Sequence, residues 1–175
     1  LFVGNVLGKK HIFLDVTERP IRRPIRKQRK YYSGKKKRHT VKYQVLSDEN
    51  KKIIAMSETV IGSVHDFQIF KNSSLKNNIP KKIKTHVDLG YQGIESECQN
   101  NIISIPQKKP KNGELTSGQK ESNKAKSSIR VKSEHAIGGI KRMRGASDIC
   151  RSVNSDLRDQ KMRICAGLWN FTFLS

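Results

Sequence analysis

Hydrophobic and polar positions along the chain predict an alternation of strands and helices. The first clear signal is Ile12-Phe13-Leu14, a short apolar run of the kind that forms a buried strand, with an acid, Asp15, at its polar end. Residues Leu1 to Lys10 predict only a weak strand or loop ahead of it. Thr40 to Leu46 alternates in the manner of a strand, Ser47-Asp48-Glu49-Asn50 is turn chemistry, and Lys52 to Ser57 resumes as a strand. Two such runs around a short polar loop predict a β-hairpin. With the Ile12 run they predict a three-stranded antiparallel start.

Helices then enter the pattern. Gly62-Ser63-Val64-His65-Asp66 predicts a helix start, with Ser63 capping free amides and Asp66 at the positive helix end. Phe67, Ile69 and Phe70 supply apolar contacts, and Ser73 to Lys82 reads as a polar exit. Ile83 to Asp88 predicts a strand ending on a second acid, followed by the glycine-bearing turn Leu89-Gly90-Tyr91-Gln92-Gly93. A short helix over Ile94 to Asn100 and a strand over Ile102 to Ile105 complete an α/β alternation. Gln107 to Lys126 holds almost nothing to bury and predicts a flexible loop.

A further helix is predicted from Ser128 to Met143, despite Gly138-Gly139 in its middle. With Glu134 at zero on a 100° wheel, Arg130 and Lys141 fall within about 40° of it. Ile129, Ala136, Ile140 and Met143 fall on roughly the opposite side, so the predicted helix buries one face and presents an acid flanked by two cations on the other. A last helix, Leu157 to Phe173, carries Ile164, Cys165, Leu168 and Trp169 to close the core. The chain shows no internal repeat.

Charge narrows the function. The 175 residues include 36 Lys and Arg against 15 Asp and Glu, a net charge of +21. That length suits one domain with a real core. The cationic excess points away from small-metabolite enzymes and toward nucleic acid or an anionic membrane. No apolar stretch approaches the ~20 residues that span a bilayer. Pro20 and Pro24 also deny the basic run the regular amphipathic helix of a membrane-surface segment. Nucleic acid is the better partner. Cys98, Cys150 and Cys165 show no Cys-x-x-Cys spacing, which suggests neither a disulfide framework nor a zinc knuckle and fits a reducing compartment. No signal peptide is visible.

Three acids stand out: Asp15 on the first strand, Asp88 at the end of a later one, and Glu134 on a helix. Two-metal phosphoryl transfer needs carboxylates from separate elements converging on two divalent ions about 4 Å apart. Mg²⁺ suits such a site because it takes oxygen ligands and keeps open positions for phosphate. The plainer reading is that Asp15 ends a strand and the surrounding cations are a solvated face.

The residues also carry a family resemblance. Asp15-Val16-Thr17 is followed by Pro20-Ile21 and Arg23-Pro24, then by Tyr31-Tyr32-Ser33-Gly34-Lys35-Lys36-Lys37 and His39-Thr40. Gly62, His65-Asp66, Asp88-Leu89-Gly90-Tyr91-Gln92-Gly93, Arg130, Glu134 and Lys141-Arg142 complete the set. In these residues the chain resembles the catalytic domain of a bacterial insertion-sequence transposase of the DDE superfamily, IS5-like group.

The resemblance implies a ribonuclease-H-like fold: an α/β mixed sheet with flanking helices, filling residues 1–175 as one catalytic domain. It makes Asp15, Asp88 and Glu134 the catalytic, metal-holding triad, with Mg²⁺ or Mn²⁺ as cofactor. The reaction implied is cleavage at transposon ends, then attack of the freed 3′-hydroxyl on target DNA. Arg22, Arg23, Lys35, Lys36, Lys37, Arg38, Arg130, Lys141 and Arg142 become the DNA-contacting cations. The setting implied is a cytoplasmic, nucleoid-associated protein that can act as a homodimer on DNA. Such transposases usually carry an N-terminal helical DNA-recognition region ahead of the first Asp; only 14 residues precede Asp15, so that region is expected to be missing here or encoded elsewhere.

Several residues admit a second role. Asp66 is expected at a helix start rather than beside the metal, and His65 and His135 as structural histidines rather than ligands. Tyr31 and Tyr32 can either stack on bases or pack on the sheet. Two other function classes stay open: a non-catalytic DNA-binding protein derived from a transposase, and an inactive truncated remnant. A general RNA-binding protein would account for the cations but not for the acids.

Overall fold

A computed structural model describes residues 8–79, 81–99 and 101–173. The predicted element within Leu1 to Lys10 lies largely outside the described residues. The chain forms a mixed sheet covered by helices on both faces, the ribonuclease-H-like architecture that the resemblance implies.

The centre of the sheet is β1 (His11–Pro20), a longer strand than its apolar run predicts. Beyond Asp15 the strand continues because β3 (Arg38–Asp48) pairs with it antiparallel from Ile12 through Pro20. Asp15 therefore sits in the middle of a strand rather than at its end. β3 likewise runs on through Ser47 and Asp48, and the turn falls at Glu49–Lys51, where Lys51 takes a left-handed φ of 67°. The far edge of β3 is covered in succession by β2 (Tyr32–Ser33), β5 (Val60–Ile61) and β4 (Ile53–Met56). On the other side of β1, β6 (Lys84–His86) and then β7 (Ile102–Ser104) add in parallel.

Apolar side chains divide between the two faces. Ile12, Leu14, Leu46, Phe70, Val87 and Ile94 pack beneath α2 (Asp66–Asn72) and α3 (Ile94–Glu97). Leu75 and Ile79 join them from a 3₁₀ turn, Ser74–Asn78, so the predicted polar exit contributes to the core instead. The start of α2 also differs from expectation. Asp66 does occupy its first turn, but His65 holds the cap position, and Ser63 instead donates its backbone N–H to the Lys30 carbonyl at 3.2 Å.

The opposite face is covered by α4 (Ser117–Lys141), α5 (Arg144–Ser147) and α6 (Ser155–Phe171). The loop predicted over Gln107 to Lys126 is half helix. Thr116 and Gln119 form a reciprocal capping box that starts α4 well before Ser128. Ala136 and Ile140 are buried as the wheel requires, whereas Ile129 is exposed, since the buried residues of α4 lie only between Ser133 and Ile140. In α6, Cys165 is buried and Trp169 packs on the core, but Ile164 and Leu168 face outward with Leu157 and Phe171. After α5 the chain returns to the sheet, where Cys150 N–H donates to the Pro20 carbonyl at 2.9 Å.

The two glycines inside α4 differ in what surrounds them. A Cβ on Gly139 would collide with the Trp169 indole, so α4 and α6 approach this closely only because the position is Gly. A Cβ on Gly138 meets nothing within 4 Å. Gly139→Ala is expected to cost about 1–3 kcal/mol by overpacking, while Gly138→Ala gains about 0.5–1 kcal/mol from helix propensity. Thermal unfolding of both variants checks this, and a Gly139→Ala protein as stable as the parent would refute the close packing.

Candidate active site

β1 and β6 position the first two acids. Ile12 and Leu14 point into the cluster beneath α2 and α3, so Asp15 projects to the opposite face, under α4. There Ser133 Oγ donates to its carboxylate at 3.3 Å, and the backbone N–H of Val16 donates at 2.8 Å. The parallel register pairs Phe13 with His86. Asp15 lies two residues beyond Phe13 within β1, and Asp88 two residues beyond His86, just past the end of β6, where its charge acts on Asp15. Asp88 caps a 3₁₀ turn, Leu89–Tyr91, accepting from Leu89 N–H at 2.7 Å.

The third acid comes from α4. Arg130, Glu134, Gly138 and Lys141 recur at helical spacing and face one cleft of about 340 Å³. Asp15, Glu18, Asp88 and Glu134 supply its acids, and Lys35, Lys36, Arg130 and Lys141 its cations. Arg130 Nη1 reaches Asp88 Oδ1 at 3.0 Å, which ties the helix to the second acid. Lys35 and Lys36 enter from the turn between β2 and β3, which Ser33 Oγ helps to shape by accepting from Lys36 N–H at 3.2 Å.

Burial governs the electrostatics. It raises the pKa of Asp15, with Asp88 pushing the same way, while the Val16 N–H and the Arg130 charge act in opposition. Burial and the neighbouring Lys36 lower the pKa of Lys141. Beneath the cleft Tyr91 is held well above the ordinary phenol range, chiefly by burial. Its hydroxyl accepts from Gln44 Nε2 at 3.0 Å, and the charges of Asp15, Asp66 and Asp88 add to the upward shift. The charges of three acids thus act on one buried phenol.

Two hollows of about 300 Å³ adjoin the cleft. One shares Glu18, Lys36 and Lys141 with it and adds Arg38. The other shares Val16, Glu18 and Lys35 and adds Lys42, His65 and Asp66. Their common walls make a groove that runs along β1 past the acids.

The remaining sequence-predicted residues are placed elsewhere. Lys37 is exposed at the hairpin tip, with φ 53°. The Arg142 guanidinium lies over the Trp169 ring, 5.9 Å from its centroid. Arg22 and Arg23 line a separate hollow. Asp66 accepts from Lys42 Nζ at 2.9 Å at the start of α2, and His135 is exposed. Tyr31 packs against the core while Tyr32 stays exposed, edge-on to His39. Ser133, Glu18, Gln44 and Tyr91 join the site although the sequence pattern assigns none of them a chemical role. Ser133 was discoverable, since it lies one turn from Arg130 on the predicted helix, whereas the Gln44–Tyr91 contact depends on tertiary packing.

Among the described residues, no three of His, Cys, Asp and Glu gather closely enough to hold a metal ion as they stand. The donor set nonetheless suits a hard divalent cation. Asp15, Asp88 and Glu134 offer carboxylate oxygens from three elements to one cleft, and Asp15 is a desolvated acid that a positive charge would relieve.

A family model described as DDE superfamily endonuclease matches residues 14–170. A protein of Microchaete diplosiphon, described as the probable transposase for insertion sequence element IS702, is 34% identical over 167 residues. The match covers 91% of this chain and 56% of that protein, so the chain spans a little over half the relative's length. No solved structure matches the chain.

The raised Asp15 has a measurable consequence for stability. Its folded carboxyl keeps a proton at higher pH than the unfolded one, so ionisation costs stability. That cost is absent below the ordinary value of 3.8 and complete once the pH exceeds the folded value. In metal-free buffer near neutrality, Asp15→Asn is expected to raise the melting temperature by roughly 2–4 °C, as about 1 kcal/mol does in a chain of this size. The gain should vanish in acid. A variant less stable than the parent at neutral pH would show that the carboxylate stabilises the fold.

Proposed function

Because the chain belongs to the DDE superfamily of endonucleases, we propose that it is the catalytic domain of an insertion-sequence transposase, IS5-like in type, which cuts DNA strands and joins them to a target. The observation that carries this reading is that Asp15 from the middle of β1, Asp88 from just past the end of β6 and Glu134 from α4 line one cleft with four cations. A non-catalytic descendant would have no need to keep all three acids there.

In this reading DNA lies in the groove along β1. Lys35, Lys36 and Lys141 hold its phosphates beside the acids, and Arg38 extends the cationic track. Ser133 and the Val16 N–H fix the Asp15 carboxylate, and the Leu89 N–H fixes that of Asp88. Mg²⁺ or Mn²⁺, held by Asp15, Asp88 and Glu134, would activate the attacking oxygen and offset charge on the leaving one. Arg130 neutralises Asp88 in the protein alone, and a phosphate in the groove gives its guanidinium a competing partner. Water attack on phosphorus breaks the P–O3′ bond, and the departing oxygen takes a proton to become the 3′-hydroxyl. That hydroxyl then attacks a target phosphodiester, forming a new P–O bond as the target's own P–O3′ bond breaks and its 3′-oxygen leaves with a proton. No covalent bond to the protein is required.

Mutation separates chemistry from binding. Asp15→Asn, Asp88→Asn and Glu134→Gln are each expected to lower metal-dependent plasmid nicking by ~10³-fold or more, because groups acting as a unit fail together. All three should still retard DNA in gels, and Asp66→Asn should lose stability more than cleavage. Vigorous nicking by any one triad variant removes that residue from the site. The Lys35→Ala, Lys36→Ala, Arg38→Ala protein should bind duplex DNA with a log–log salt slope shallower by about 2.7, at ~0.9 per lost phosphate contact. An unaltered slope would make these cations a solvated face.

A further inference from the structure

The hollow that holds Arg22 and Arg23 differs in chemistry from the cleft. It encloses about 280 Å³ between the segment that follows β1 and the segment that precedes α6. Six cations line it and no acid does, whereas the cleft balances four acids against four cations. Its shape is anchored at several points. Arg22 N–H donates to the Cys150 carbonyl at 3.0 Å, Arg23 Nε to Gln28 Oε1 at 2.9 Å, and Arg158, itself buried, donates from Nε to the Ser152 carbonyl at 2.8 Å.

Two aliphatic side chains stand on its walls almost fully in water: Ile25 at 96% exposure and Val153 at 89%. Tyr31 lines it as well. A solvated cationic face has no use for bare aliphatics, and a duplex backbone, which offers only phosphate and sugar, would leave them wet. An unpaired nucleotide meets both demands, bringing a phosphate for the guanidinium groups and a base face for Ile25 and Val153. The volume, at the small end for ligand hollows, fits one nucleotide better than a duplex. A protein partner would have to be acidic to approach six cations. The charge favours a polyanion.

We propose that this hollow is a second nucleic-acid site, which seats an unpaired nucleotide of a DNA strand without metal. This deepens the transposase reading and rests on it for the identity of the strand. Asp15 and Arg22 are seven residues apart on a largely extended segment, about 23 Å at ~3.3 Å per residue. The seat therefore takes the strand several nucleotides from the bond being cut.

The test is fluorescence-anisotropy titration in EDTA, with the cleft chemistry off, so that its failure is separate from any failure of cleavage. The probes are a short oligothymidylate, the same strand with abasic sites, and a duplex of equal length. Arg26→Ala with Arg151→Ala is expected to flatten the single-strand salt slope by about 1.4, at ~0.7 per contact. The matched control, Lys108→Ala with Lys109→Ala, removes equal charge from an exposed loop and should flatten it less. Ile25→Ser with Val153→Ser leaves the charge unchanged. It should weaken oligothymidylate binding roughly fivefold or more and spare both the abasic strand and the duplex. Equal losses on the abasic strand, or no loss at all, would overturn the base seat. Equal slopes for the two charge variants would overturn the site itself.

Discussion

Two carboxylates that share one partly desolvated cleft repel one another, and that repulsion is poorly screened there. The parallel pairing of β1 with β6, which runs up to Phe13 and His86, fixes the backbone two residues before each acid. Much of the surrounding structure can be understood as what makes this arrangement tolerable. Backbone N–H groups from Val16 and Leu89 each donate to one acid, and α4 contributes Ser133 to the first and Arg130 to the second. For α4 to deliver these groups it must lie tightly against β1 and α6. Tight packing in turn demands a residue without a side chain where Gly139 meets Trp169. The polar site and the packing of the core are one problem in this chain.

Charge is also partitioned in space. Net charge alone would suggest a uniformly sticky surface, but some of the cations gather in two contrasting settings. In the groove they alternate with acids, so a phosphate there competes with Asp88 and its neighbours for the cations. In the hollow beside α6 they stand without acids and next to exposed aliphatics. Only one of the two settings contains carboxylates.

The order of elements was legible from periodicity wherever burial is one-sided or complete. The Ile12 run, the hairpin after Thr40, the short strands at Lys84 and Ile102, and the buried stripe at Ala136 and Ile140 all follow that rule. Strand length was less legible, because Thr17 and Arg19 are buried polar residues whose place in β1 is decided by pairing with β3. The start of α4 carried a local signal in Thr116 and Gln119, hidden by a composition that suggests a loop. Outward-facing Ile164 and Leu168 were misassigned because apolarity does not reveal which side of a helix finds a partner. The gathering of three distant acids around one cleft was suggested by residue order and resemblance. Its local ties to Ser133, Tyr91 and Gln44 emerge only when the strands are set side by side.

The long α4 helix spans 25 residues, about 37 Å at ~1.5 Å per residue, yet none of its side chains before Ser133 is buried. Its early turns are held by the capping box, by Asn123 against the backbone of Gln107, and by Lys126 on the Ile105 carbonyl. Most helical stability comes from packing of a buried face, which α4 has only from Ser133 onward, so resistance to amide exchange should climb steadily from Ser117 toward Ile140. Fraying that starts at the first turn can run through the lysine-rich stretch without disturbing the sheet. It meets its first tie to the sheet's acids at Arg130, whose grip on Asp88 marks where a local, reversible opening becomes part of global unfolding.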